Sequence, residues 1–106
     1  MIELLRVLLK ASSTEKITRL AATSNGVLEA NARRISITFC PPSAGTATFS
    51  TLTPAVALEG IVVRSTDRPV CLSLLSGDYS VTKAWNAIHS AGGVNANIME
   101  TWLGET

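Results

Sequence analysis

From residue 34 to residue 39 the chain reads Arg-Ile-Ser-Ile-Thr-Phe, apolar at every second position. Alternation of this kind puts Ile35, Ile37 and Phe39 on one face of an extended segment and Arg34, Ser36 and Thr38 on the other, the pattern of a half-buried strand. Pro41-Pro42 ends it, because a proline cannot donate to a strand ladder. Residues 46–52 are Thr-rich and predicted extended. Residues 60–65 and 70–75 are apolar, partly β-branched runs with only Thr66-Asp67-Arg68-Pro69 between them, which predicts a β-hairpin flanked at its turn by Arg64 and Arg68.

The two ends are less one-sided. Residues 2–10 fit either period: Glu3, Arg6 and Lys10 share a helical face, yet Glu3, Leu5, Val7 and Leu9 also alternate with Leu4 and Leu8. Ser12-Ser13-Thr14-Glu15 matches a capping box, with Ile17, Leu20 and Ala21 following at helical spacing and Asn25-Gly26 as a stop. The competing reading pairs residues 17–24 with 27–31 across an Asn-Gly type I′ turn. Ile17-Thr18 and the Ser/Thr content tip the balance to strands. Residues 81–91 predict a short helix, with Ser80 as cap, Trp85 and Ile88 one turn apart, and Gly92-Gly93 as the stop. Residues 94–103 predict a last extended segment with Val94, Ile98 and Trp102 on one face, placed at a sheet edge or reaching a neighbouring subunit. Turn signals recur throughout. The expected architecture is therefore mainly β, an antiparallel β-sandwich or jelly-roll-like domain spanning residues 1–106, with one short C-terminal helix.

Composition sharpens the functional expectation. Charged residues are 16% of the 106 positions, against roughly 25% in an ordinary domain, so Ser, Thr, Ala and Asn must cover the surface. Such a surface is weakly hydrated and suited to burial, since interface cores are depleted of charge. The net charge of +1 supplies no basic field for phosphate, which disfavours nucleic acid as partner. It also supplies little self-repulsion, which favours assembly. The first ten residues lack the charge order of a signal peptide, and no segment approaches the ~20 apolar residues of a membrane span. The expected compartment is the cytoplasm of synthesis, with Cys40 and Cys71 both free and buried.

A search for chemistry returns little. Any Ser-His-Asp or Cys-His site must use His89, the single histidine, with Cys40 or Cys71 as nucleophile and Asp67 or Asp78 as orienter. No Gly-x-Ser-x-Gly or Cys-x-x-Cys motif accompanies them, and the simpler expectation for His89 is a surface position on a short helix. One His and two Cys fall short of a closed zinc site. No spacing singles out a pair of carboxylates, and no Gly-rich phosphate cradle or other cofactor motif is present. Trp85 and Trp102 fit either sugar stacking, as in a carbohydrate-binding β module, or anchoring of the C-terminal segment to the core or to another subunit. The expectation is a structural or binding protein, not an enzyme, with Trp85, Trp102, Arg64 and Arg68 as candidate interface residues.

The run Gly60-Ile61-Val62-Val63-Arg64-Ser65-Thr66-Asp67-Arg68-Pro69-Val70-Cys71-Leu72-Ser73-Leu74, together with Gly45-Thr46-Ala47-Thr48-Phe49-Ser50, resembles segments of small β-sandwich virion proteins of tailed bacteriophages. The resemblance covers about thirty residues and carries no catalytic motif. It implies a virion protein that forms homo-oligomers, typically trimers, and binds the major capsid protein or another virion protein as decoration or cement. A tail or head-tail component is the alternative within the same family.

Overall fold

The computed structural model describes residues 12–103. Eight strands run in chain order: β1 (Ser12–Leu20), β2 (Asn25–Leu28), β3 (Arg34–Phe39), β4 (Thr46–Ser50), β5 (Ile61–Arg64), β6 (Val70–Ser73), β7 (Trp85–His89) and β8 (Val94–Trp102). They form two antiparallel four-stranded sheets, ordered β1-β8-β3-β6 and β2-β7-β4-β5. The pairs β1·β8, β2·β7, β3·β6 and β4·β5 are nested, as if one long hairpin had been bent over and rolled up. This is the jelly-roll order. Only β4 and β5 are both consecutive and paired; every other connection crosses from one sheet to the other.

The inner faces of both sheets follow the period of two. Leu20, Ile37, Phe39, Ala96 and Ile98 come from the first sheet, and Val27, Ala47, Phe49, Val63, Trp85 and Ala87 from the second. Phe39 joins the halves: its ring stacks on Phe49 at 4.4 Å between centroids and meets Trp85 at 5.1 Å. Two short 3-10 turns, Leu74–Ser76 and Tyr79–Thr82, lead from β6 to β7, and Val81 of the second is fully buried in the same core.

Four expectations are corrected. The segment from 81 to 91 is a 3-10 turn followed by strand β7, because Trp85, Ala87 and His89 all point inward at a spacing of two. The i, i+3 pair Trp85 and Ile88 had suggested a helix but falls on opposite faces of that strand. Gly92-Gly93 is the β7–β8 turn; Gly92 has φ +73°, and a Cβ there would come within 2.6 Å of the Ala22 nitrogen. Second, residues 60–75 are not a hairpin. Asp67 does close a turn, its amide donating to the Arg64 carbonyl at 2.9 Å and its carboxylate accepting from the Arg64 amide at 2.8 Å. The chain then crosses to the other sheet, where β6 pairs with β3 while β5 pairs with β4. A reversal between apolar runs satisfies an arch as well as a hairpin, and the arch sets Val63 and Leu72 on opposite inner faces of the core.

Third, Asn25-Gly26 belongs to β2 and does not turn. Gly26 lacks the positive φ a type I′ turn demands, and β1 and β2 lie in different sheets. Strand remains the right state for both segments. Fourth, β8 lies inside its sheet between β1 and β3, not at an edge. The reading of residues 2–10 lies outside the described residues.

Arg34 also departs from the simple alternation. A register shift between Arg34 and Ser36 turns its side chain inward, leaving it 2% exposed. Its Nε donates to Glu100 Oε1 at 2.8 Å, Nη1 to the carbonyls of Val81 and Lys83 at 3.0 and 3.1 Å, and Nη2 to the carbonyl of Glu29 at 2.7 Å. Arg34→Ala should lower unfolding free energy by about 3–5 kcal/mol in urea denaturation, because it strands Glu100 and three carbonyls. Arg34→Lys should recover only part of the loss, since an ammonium cannot reach acceptors spread around a planar fork.

Candidate functional site

The residues singled out from sequence do not form one site. β7 buries Trp85 to 4% exposure against Phe39, and its Nε1 donates to the Ser80 carbonyl at 3.1 Å. No ring face is left for a sugar. Trp102, at the end of β8, is half-buried opposite Arg34 and Ser12. Arg64 and Arg68 are exposed at the other end of the sandwich, beside the Gly45 turn, whose carbonyl accepts from the Ser65 amide. The two tryptophans and the two arginines thus lie at opposite ends.

His89 is 3% exposed in β7, not a surface residue on a helix. Its Nδ1 accepts from the amides of Ala91 and Gly92 at 3.1 and 2.9 Å, so the proton sits on Nε2, which donates to the Ala44 carbonyl. The ring fastens the β3–β4 loop to the β7–β8 turn and has no hydrogen-bonding capacity left. Gly45 is required beside it, because a Cβ there would approach the imidazole to 2.7 Å.

Both cysteines are free. Cys71 was expected to be buried and is exposed, because Val70 and Leu72 take the inward positions of β6. Cys40 is half-buried just past β3, and burial together with the nearby Glu15 carboxylate pushes its thiol pKa up. Among the described residues no group of three or more His, Cys, Asp or Glu side chains is placed to hold a metal ion. No helix among them is long and apolar enough to cross a membrane.

A cleft of about 340 Å³ opens between the sheets at the Arg34 end, lined by Lys16, Leu28, Glu29, Ala30, Asn31, Arg34 and Glu100. Arg34 there is committed to Glu100 and three carbonyls, and Lys16 Nζ donates to the Val27 carbonyl at 3.1 Å. This cluster was not legible in the residue pattern, since a strand that shifts register looks the same on paper as one that does not.

The two outer faces differ. On β4 the outward residues Thr48 and Ser50 are 2% and 5% exposed, because the long β4–β5 loop lies over them. That loop is pinned by the Leu58 amide to Thr48 Oγ1 (3.1 Å), the Ala55 amide to Ser24 Oγ (2.8 Å) and Asn86 Nδ2 to the Leu52 carbonyl (2.7 Å). The outer face of the β1-β8-β3-β6 sheet has no such cover among the described residues. Its outward positions are Ser, Thr, Asn, Met99, Cys71 and, on β1, Ser13, Glu15, Ile17 and Arg19. Among the described residues Glu15 and Arg19 are the only charges on that face. Ser13 and Thr101 share a hydrogen bond at 2.8 Å, and Asn97 donates to Glu15 at 2.7 Å. Ile17 is 68% exposed and Met99 46%. This weakly charged face and its β1 edge are the best candidate contact surface.

No family model matches this sequence, and no curated protein matches it. Its fold is similar to a solved structure from the disulfide-linked pili that form Bacillus endospore appendages, with a TM-score of 0.54 and 13% identity. The match covers 90% of this chain and 88% of the other. At that identity the likeness is one of fold.

In native-state maleimide labelling at neutral pH, Cys71 should react first and Cys40 slowly. Because burial and Glu15 both disfavour the Cys40 thiolate, Cys40 labelling should accelerate only at higher pH than the same thiol in the urea-unfolded chain. Equal rates for the two native thiols would contradict the placement of these side chains.

Proposed function

We propose that this chain is a non-enzymatic structural subunit that assembles with copies of itself. The observation that carries the reading is the contrast between the sheets: one outer face is roofed by its own loop, while the other is open among the described residues and carries little charge. A domain with 16% charged residues and a net charge of +1 has little electrostatic barrier to association. The commitment of His89 to backbone groups supports a role without catalysis.

Within that reading, the sequence resemblance favours a virion protein that decorates or cements a capsid shell. Such a subunit stabilises the assembled state by binding it preferentially, and many weak copies act together. The fold likeness to a pilus protein favours a second form, an open fibre. The two differ in symmetry: a closed ring such as a trimer stops growing, whereas a head-to-tail contact that does not close propagates.

Sedimentation velocity over a concentration series, with negative-stain imaging of the same samples, tests both levels. Discrete oligomers that co-sediment with capsid-like particles support the shell-binding form, and filaments support the fibre. A strict monomer at high concentration, with no affinity for such particles, overturns the proposal.

A further inference from the structure

Strand β1 is an edge of a kind that folded proteins seldom leave bare. It is nine residues long and pairs with β8 in unbroken register from Ser12↔Trp102 to Leu20↔Val94. Among the described residues it has no neighbour on its other side. The other three edges are protected by the usual devices: β2, β5 and β6 are each four residues long, and β2 also carries a register shift. β1 has no proline and no bulge. Its inward lysine, Lys16, is tied down to the Val27 carbonyl and so does not guard the edge.

The outward side chains of β1 read Glu15, Ile17, Arg19, with Ile17 in the middle and 68% exposed. This triplet is complementary to itself in one arrangement. When two copies pair antiparallel about a two-fold axis at Ile17, Ile17 faces Ile17, Glu15 faces Arg19 of the second copy, and Arg19 faces its Glu15. Slipping by two residues sets Ile17 against a charge and breaks both ion pairs. Slipping by one turns an inner face to solvent. Parallel pairing stacks Glu15 on Glu15 and Arg19 on Arg19. On the inner side the favoured register sets Thr18, whose buried Oγ1 has no hydrogen-bond partner among the described residues, opposite Lys16 of the second copy.

We infer that the β1 edge is a self-pairing interface whose occupant is the same strand of a second copy, registered at Ile17 and joining two sheets into one of eight strands. Such a contact is isologous, so each Glu15–Arg19 pair occurs twice. The inference rests on the assembly reading above and names the surface through which it begins.

The test is a charge-reversal cycle on the full chain. Glu15→Arg and Arg19→Glu each place like charges opposite one another at both symmetric contacts. Each should weaken self-association by about tenfold, while the double variant, with the pairs restored in reverse, should regain it. In a Cys40→Ser, Cys71→Ser background, Ile17→Cys should form a symmetric disulfide dimer under mild oxidation, since directly opposed strand residues lie within disulfide reach. Because the changed side chains are exposed, circular dichroism should be unaltered. If the chain assembles and the single reversals leave association unchanged, or the double variant fails to recover, the edge inference is overturned and the assembly reading stands. A wild-type chain that stays strictly monomeric at high concentration overturns the edge inference, and one that also has no affinity for capsid-like particles overturns the assembly reading with it.

Discussion

One guanidinium holds the end of this sandwich together. Arg34 reaches from β3 to the β2–β3 loop, to the turn and linker before β7, and to β8, and it does so from a position 2% exposed to solvent. A buried charge is tolerated only when its hydrogen bonds are satisfied. The four acceptors around Arg34 therefore have to be present together, and that fixes where Glu29, Val81, Lys83 and Glu100 sit relative to one another. A jelly roll has no helix to close its ends, so a planar, many-armed donor suits the task better than any apolar plug. At the other end the neutral His89 ring works similarly, accepting two amides and donating to one carbonyl.

Between those two fasteners the core is carried by period-two burial, and that part was legible. Ile37, Phe39, Ala47 and Phe49 alternate with polar residues, and alternation survives wherever only one face is covered. What could not be read were the pairings. Thr66-Asp67-Arg68-Pro69 announces a reversal, but the residues that decide which sheet receives the next strand are Thr38, Thr46 and their neighbours, far away in the chain. The helical look of residues 81–91 came from Trp85 and Ile88, and burial of Trp85, Ala87 and His89 overrode it.

The candidate surface was visible only in outline. Low charge pointed to association, and that inference needed no coordinates. The particular residues did not follow: Trp85 fitted sugar stacking, a subunit contact or the core and is core, and Cys71 looked like filler and lies on the surface. Aromatic and sulfur side chains suit either environment, so type alone does not place them. The β1 triplet Glu15, Ile17, Arg19 acquires meaning only once β1 is seen to have β8 as its single neighbour among the described residues.

The position of β8 has a temporal consequence. It is the last of the eight strands to be synthesised, yet it occupies the interior of its sheet, bonding β1 on one side and β3 on the other across as many as 90 positions of sequence. Until it arrives, β1 lacks its one neighbour among the described residues, and that sheet has no strand between β1 and β3. Folding of that half must wait until residue 102 has been made, a slow, long-range closure. On the ribosome, the surface built from β1, β8, β3 and β6 is therefore completed only when β8 emerges.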